Sequence, residues 1–322
     1  MPAMHSNSYD EILLLLSPAA AKLSRSRLER WSRVLEEGFG SPVVRLHGDQ
    51  PAFRKKVEES QEARRLVLAA GGDGTLNLAV NWVKKLGLFN VVLGALPLGT
   101  GKDWAKSAGV PLDPDACVAW LAAQKPLFCD LGVAEWRRNH ETSRSCFVNV
   151  TSLGISADVD LYVKEAKVRH PFLYLVAALR AILGSSPPEV KVYLDGQSWF
   201  QGKTWLLAIG NGRYFGGGMA VTPNAFLDDG LLDVILVPQV SRLNLLASFY
   251  QIYLGSHIRR KDVLSGQASE ISIDCEEGLM GVDLDGDATL ADQLQVRTEH
   301  RGIEVLASPE GPGFKRQKRG GV

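Results

Sequence analysis

Two glycine-rich stretches carry the residue types that phosphate chemistry needs. Residues 71–77 read GGDGTLN and residues 96–105 read LPLGTGKDWA. Gly71, Gly72 and Gly74 let the backbone turn sharply and approach a ligand with no Cβ in the way. The Thr75 hydroxyl and the unpaired N–H groups at the start of a following helix make an anion site. Asp73 is the odd member, because a carboxylate beside phosphate is repelled unless a cation offsets it. Read alone, the same residues also describe a plain glycine turn between a strand and a helix. The second loop repeats the logic with Gly99, Thr100 and Gly101, followed by Lys102 and Asp103. Lys102 either contacts phosphate or points to solvent. Two hydroxyl-bearing loops, each with an aspartate in or beside it, signal more than either alone.

Two further stretches put carboxylates next to turns. Residues 209–234 contain Gly216, Gly217 and Gly218 in a row, then Asp228-Asp229-Gly230. The latter is either a hairpin turn or a carboxylate aimed at a magnesium–phosphate complex, since hard cations are held by carboxylates and phosphates. Residues 282–290, VDLDGDATL, suggest a hairpin turn at Asp285-Gly286. Asp287 lies just beyond it, where a side chain can project as a general base.

The elements that must hold these residues follow from periodicity. Residues 66–70 have no polar break, as in a parallel strand covered on both faces. A helix starting at Thr75 places Leu76, Ala79, Val80, Val83 and Leu86 on one side. Strands at 12–16, 43–46 and 91–96 alternate with helices near 28–35, 51–63 and 113–123. This predicts a doubly wound, mostly parallel α/β domain over residues 1–126, with ligands at the carboxyl ends of its strands. From residue 127 the pattern becomes short strands at 127–136, 146–150, 190–194, 205–209, 232–237, 271–274 and 294–297. That predicts an antiparallel, sandwich-like all-β domain over 127–308, with the option that its last strand returns to the first domain. Helices at 171–183 and 243–254 interrupt it. Residues 309–322, with Lys315, Arg316, Lys318 and Arg319 among glycines, read as a basic disordered tail.

Composition narrows the function classes. The chain has 322 residues, with 36 Lys plus Arg balancing 36 Asp plus Glu. A general nucleic-acid binder shows a basic excess, so none is expected. Cys117, Cys129, Cys146 and Cys275 have no CxxC spacing and read as reduced thiols. There is no apolar run of membrane-spanning length, and a cytoplasmic protein is expected. Lys164, Lys167, Arg169 and His170 precede the apolar 171–183 segment. With the basic tail they suggest peripheral contact with a membrane surface, or simply solvated charges beside a packed helix. Oligomeric state is not legible.

In this order the motifs resemble the diacylglycerol kinase catalytic family, in its soluble bacterial lipid kinase form. Sphingosine and ceramide kinases share that core, and NAD kinases are more distant relatives. The matching pieces are GGDGTLN at 71–77, LPLGTGKDWA at 96–105, CDLG at 129–132, GNGRYFGGGM at 210–219 and LDDGLLDV at 227–234. DGD at 285–287 stands where the family has DGE. The resemblance implies an NAD-kinase-like nucleotide domain, a β-sandwich domain and ATP in the cleft between them. It implies transfer of the γ-phosphoryl group of ATP to a lipid hydroxyl, diacylglycerol-like, with Mg²⁺. By motif, Gly71, Gly72, Asp73, Gly74, Thr75, Asn77, Gly99, Thr100 and Lys102 bind ATP. Asp73, Asp103 and Asp130 form a supporting carboxylate network. Asp229 holds the metal with the backbone carbonyls of Phe226 and Leu231, and Asp287 is the catalytic base.

Three departures keep alternatives open. Ser17-Pro18-Ala19-Ala20-Ala21 replaces Asn-Pro-x-Ser-Gly, Lys102 replaces an Asn, and Asp287 is one methylene shorter than Glu. A misplacement of about 1 Å can cost roughly 10²-fold in rate. One alternative is a catalytically impaired nucleotide- or lipid-binding homologue. Another is a kinase of a soluble substrate such as NAD, although no NNE-type motif follows the glycine loop.

Overall fold

The computed structural model describes residues 9–48, 50–99, 101–165, 173–276 and 278–315. The chain forms two compact units, Met1–Cys129 with Arg301–Val322, and Asp130–His300.

The first unit alternates strand and helix: β1 (Glu11–Leu16), α1 (Arg25–Phe39), β2 (Val43–His47), α2 (Gln50–Glu58), β3 (Arg65–Gly71), α3 (Asp73–Lys85), β4 (Val91–Pro97), α4 (Asp103–Ser107) and α5 (Pro114–Leu121). The strands lie parallel in the order β2-β1-β3-β4. β1, β3 and β4 are buried along their whole length, which explains their unbroken apolar runs. Ser24 caps α1 by accepting the Arg27 N–H, and Gly40 ends it in the left-handed region at φ 68°. The helix then buries Leu28, Trp31 and Leu35. α2 stops at Glu58, short of the expected 51–63. α3 begins at Asp73 rather than at Thr75.

The end of the chain completes this unit. Glu304 and Val305 pair parallel with Val92 and Leu93 of β4. The tail expected to be disordered from residue 309 is instead packed at its start. Gly313 donates its N–H to the Ser107 carbonyl at 2.7 Å, and Phe314 is buried. Arg316, Lys318 and Arg319 lie outside the described residues.

The second unit is antiparallel. The chain passes between units within β5 (Pro126–Arg138) and within β15 (Gln293–Leu306). Between them come β6 (Glu141–Phe147), β7 (Val150–Gly154), α6 (Ile155–Glu165), α7 (Leu173–Gly184), β8 (Glu189–Leu194), β9 (Gln197–Gly210), β10 (Leu232–Pro238), α8 (Arg242–Ser248), β11 (Leu264–Ala268), β12 (Glu270–Cys275), β13 (Met280–Leu284) and β14 (Asp287–Ala291). β9 serves two layers. Its second half pairs with β7 and β10, giving the order β14-β13-β7-β9-β10-β11, while its first half continues through β8 and β12 to β15. Val192, Leu207, Val234, Ile271, Val282 and Leu294 meet in the core between these layers.

Several expectations change here. The strand expected at 146–150 is two strands, broken at Val148 and Asn149. α6 was not anticipated at all. The helix expected at 243–254 is α8 followed by a 3₁₀ turn, Phe249–Ile252. α7 covers the described part of 171–183. Lys167, Arg169 and His170 lie outside the described residues. Among the described residues no helix is long and apolar enough to cross a membrane. All four cysteines are free thiols.

Candidate active site

In the first unit the two glycine loops pack backbone against backbone. Leu98 and Gly99 donate their N–H groups to the Gly71 carbonyl at 2.8 and 3.1 Å. A Cβ on Gly99 would lie 2.5 Å from the Gly72 Cα, and one on Gly71 would lie 2.1 Å from Thr75 Oγ1. A Cβ on Gly74 would meet nothing within 4 Å. Gly71 and Gly99 are therefore demanded by the loops themselves, Gly72 is a close fit with a Cβ 3.1 Å from the Gly101 carbonyl, and Gly74 borders open space.

Asp73 resolves the puzzle of a carboxylate in a phosphate loop. Its Oδ2 accepts the Asp103 N–H and its Oδ1 the Trp104 N–H, both at 3.0 Å. Asp73 thus caps α4 from the first turn of α3, whose own N-terminus has only Gly72 at its cap position and no side-chain cap bond. Asn77, one turn along α3, accepts the Asn81 amide at 3.0 Å. The Lys102 ammonium donates to the Leu112 carbonyl at 3.0 Å. Asp103 is buried, with Lys106 Nζ 3.8 Å from its carboxylate. Thr100 lies outside the described residues. An open hollow beside Thr75 is lined by Leu15, Ser17, Gly48, Leu78 and Trp82. Ser17, standing where the family pattern has Asn, accepts the Ala20 N–H at 3.2 Å.

In the second unit Asp130 is fully buried and organises the Asp228-Asp229-Gly230 segment. Its Oδ2 accepts the Gly230 N–H at 2.6 Å, its own N–H reaches the Leu227 carbonyl at 2.6 Å, and its Oδ1 lies 2.8 Å from His300 Nδ1. Asn211, also fully buried, donates to the Asp130 and Val148 carbonyls. This segment is not a hairpin, since β9 and β10 are joined by the whole of residues 211–231. Asp229 Oδ1 accepts the Leu231 N–H at 3.1 Å. Gly216, Gly217 and Gly218 all have positive φ, at 59°, 84° and 105°, and close a loop whose ends Phe215 and Met219 exchange both backbone bonds. No other residue type tolerates three such positions in succession.

The Asp285-Gly286 turn does join β13 to β14, with Leu284 opposite Asp287 and φ of 49° and 90° in the turn. The Asp285 carboxylate accepts the N–H groups of Val148, Asn149 and Val150 at 2.6, 3.1 and 2.9 Å. That is the physical reason for the break between β6 and β7. Asp287 is exposed at the first position of β14. Beside the turn lies a carboxyl pair that sequence reading missed. Ala157 of α6 packs on Gly281, where a Cβ would come within 2.7 Å of it. One turn on, Asp160 meets Asp283, two residues along the same face of β13. Asp283 accepts the Gly286 N–H at 2.8 Å. Burial, followed by the Asp160 charge and hydrogen bond, holds the Asp283 carboxyl well above the ordinary carboxylate range. Two carboxyls in one hydrogen bond share a proton.

Oxygen donors are what a hard cation requires, and the Phe226–Leu231 segment offers the Asp229 carboxylate and backbone carbonyls on a loop fixed by Asp130. Among the described residues no cluster of three or more His, Cys, Asp or Glu side chains could hold a metal. The Asp229 carboxylate and backbone carbonyls are oxygen donors of the kind that Mg²⁺, rather than zinc, takes together with water or phosphate oxygens.

Residues 11–134 match the diacylglycerol kinase catalytic domain, and residues 149–307 match the YegS C-terminal NAD kinase beta sandwich-like domain. The Pseudomonas aeruginosa protein named "Probable lipid kinase YegS-like" is 31% identical over 281 residues, 86% of this chain and 88% of that protein. A diacylglycerol kinase of Mycobacterium tuberculosis is 28% identical over 295 residues, covering 85% and 93%. In fold, the chain is similar to a diacylglycerol kinase structure from Bacillus anthracis, with TM-score 0.69 and 21% identity over 94% of this chain and 98% of that one. It is also similar to yeast NADH kinase, with TM-score 0.51 and 12% identity over 98% and 91%.

Proposed function

The chain belongs to the YegS-like family of lipid kinases, built on the diacylglycerol kinase catalytic domain, and on that premise we propose that it transfers the γ-phosphoryl group of ATP to a diacylglycerol-like lipid hydroxyl with Mg²⁺. The observation that carries the ATP assignment is the α3 N-terminus, left open while Asp73 caps its neighbour. The N–H groups beside Gly72, Asp73 and Gly74, with the Thr75 hydroxyl and the Asn77 amide, hold the phosphates. Gly74 gives them room.

Transfer breaks the bond between the γ-phosphorus and its bridging oxygen, releasing ADP, and forms a bond to the lipid oxygen. Asp287 accepts the hydroxyl proton. Asp229 with the Phe226 and Leu231 carbonyls would hold Mg²⁺, which would supply screening of the phosphate charge. Asp130 keeps those donors in place through Gly230, and Asp285 and Asp283 fix the turn from which Asp287 projects. Lys102, bound to Leu112, and the shorter Asp287 favour a second reading, that of a nucleotide-binding homologue with impaired transfer.

A panel of diacylglycerol, phosphatidylglycerol, sphingoid bases and NAD, incubated with the protein, ATP and Mg²⁺ and read by mass spectrometry, separates these readings. A phosphorylated lipid and ADP are expected. ATP binding without any product selects the impaired homologue, and phosphorylated NAD alone overturns the lipid assignment.

A further inference from the structure

Asp287 stands at the mouth of a two-residue turn, and its aim depends on what holds that turn. β13 and β14 are joined by Asp285 and Gly286 alone, and Leu284 pairs with Asp287 across them. With so short a connection, the dihedral angles of these two residues set the direction of the first residue of β14. One side of the turn is fixed by the segment entering β7. There the Asp285 carboxylate accepts the N–H groups of Val148, Asn149 and Val150, and the Asp285 N–H reaches the Val150 carbonyl at 3.2 Å. The other side is fixed by Asp283, whose Oδ1 accepts the Gly286 N–H at 2.8 Å. Asp283 is only 4% exposed, and its carbonyl accepts the Thr151 hydroxyl at 2.9 Å.

What meets Asp283 from outside the sheet is α6. Gly154 ends β7 at φ 88°, a conformation that glycine adopts freely, and α6 starts at the next residue. The helix packs on β13 and β14, with Ala157 against Gly281, and Asp160 follows one turn later on the same face. Asp160 hydrogen-bonds to Asp283, and a Cβ on Gly286 would lie 4.0 Å from Asp160 Oδ2. The helical carboxyl thus bonds Asp283 and borders the turn. Across the sheet, Asp283 has Ser152 of β7 on one side and Ala288 of β14 on the other, neither of them charged. The charged groups facing it among the described residues are Asp160 and Asp285, both acids. Two carboxylates in direct contact repel, so the bond between Asp160 and Asp283 carries a proton. Burial, then the Asp160 charge, keeps that proton in place above the ordinary carboxylate range.

We propose that Asp160 and Asp283 are positioning residues of the transfer reaction: joined through one proton, they clamp α6 to the Asp285-Gly286 turn and so aim the Asp287 carboxylate at the acceptor hydroxyl. This role rests on Asp287 being the base of the proposed transfer. While the proton is present the clamp is closed. Once it is lost, Asp160 and Asp283 repel, the Asp285 charge adds to the repulsion, and α6 no longer braces the turn. Turnover then falls on the alkaline side, where a base would otherwise gain from being deprotonated.

The test is the pH profile of kcat for the full-length protein on dioctanoylglycerol, a short-chain acceptor, with ATP and Mg²⁺. Amide hydrogen exchange of residues 284–291 is measured in parallel, as protection relative to the intrinsic rate at each pH. The wild type is expected to lose kcat and protection together as pH climbs through the raised range of Asp283. Asp283→Asn and Asp160→Asn each supply an amide N–H in place of the shared proton. Each should flatten that alkaline limb, measured against the variant's own maximum. Asp283→Ala removes the bond to Gly286 and should lower kcat by about tenfold or more with the KM for ATP unchanged, since a misplacement of about 1 Å can cost roughly 10²-fold. If Asp283→Ala fails to fold, the two near-isosteric Asn variants decide. Identical alkaline limbs in the wild type and both Asn variants overturn the proposal. So does protection of the turn that follows the same course with pH in all three proteins. Absence of turnover on any lipid, with the pH-dependent loss of protection still abolished in the Asn variants, counts against the kinase reading and supports the clamp.

Discussion

Glycines of the same motif do different work, and substitution separates them. Gly99→Ala drives a methyl group to 2.5 Å from the Gly72 Cα and 2.6 Å from its nitrogen. Backbone cannot move aside as a flexible side chain can, so a loss of about 1–3 kcal/mol in stability is expected, seen as a lower denaturation midpoint. Gly74→Ala meets open space in the first turn of α3. It should leave stability unchanged or raise it by up to about 1 kcal/mol, yet weaken ATP binding by calorimetry because the methyl occupies the phosphate approach. Equal ATP affinity in wild type and Gly74→Ala would remove α3 from the nucleotide site. Asp287 gives a complementary prediction. Asp287→Ala should lower turnover by about 10²–10⁴-fold, the usual contribution of a general base, with ATP affinity retained. Asp287→Glu, which restores the missing methylene, should raise turnover if reach limits the reaction. Full activity in Asp287→Ala would exclude the residue from proton transfer.

The packing of α6 on β13 gives the second unit a pH-sensitive carboxyl pair. Ala157 fits over Gly281, which brings Asp160 onto Asp283 beside the turn that presents Asp287. The charged groups facing Asp283 among the described residues are Asp160 from the helix and Asp285 from the turn. The Asp283 carboxyl is raised in the folded state, so folding takes up a proton there. Its contribution to stability is complete below the ordinary carboxylate range and is lost as pH climbs through the raised folded value. Thermal unfolding followed across that range should show the wild type losing stability relative to Asp283→Asn, whose amide donates to Asp160 without needing a proton. Parallel pH profiles for the two proteins would disprove the shared proton. Neither carboxyl announced its role in the sequence, because only folding α6 over the strand pairs residues so distant in the chain. The Asp285-Gly286 turn was legible, since two residues with positive φ between apolar alternations have few alternatives. The break between β6 and β7 was not, because its cause, the Asp285 carboxylate, lies far down the chain from Val148. The parallel strands were legible from unbroken apolar runs. The start of α3 was missed because glycines read as loop even where Gly74 continues a helix.

At the scale of the whole molecule, the first unit is not a contiguous stretch of chain. Its sheet takes Glu304 and Val305 as a parallel neighbour of β4, and Ile303, Val305, Leu306, Ala307 and Phe314 are buried. Gly311 lies so close to Ala108 that a Cβ on it would come within 2.8 Å of that residue's backbone. Each fully buried Val, Leu or Phe contributes about 1.5–3 kcal/mol, so the returning segment supplies several kcal/mol against a total near 5–15 kcal/mol for a typical domain. A fragment of residues 1–129 would lose that contribution and expose β4 as an unpaired edge. It should therefore be unfolded or aggregated, by circular dichroism and light scattering. Joining residues 301–315 to it through a flexible glycine–serine linker should restore a cooperative transition and, with it, ATP binding. A stable, monomeric 1–129 fragment that binds ATP as tightly as the linked form would show that the returning strand contributes nothing the nucleotide site needs.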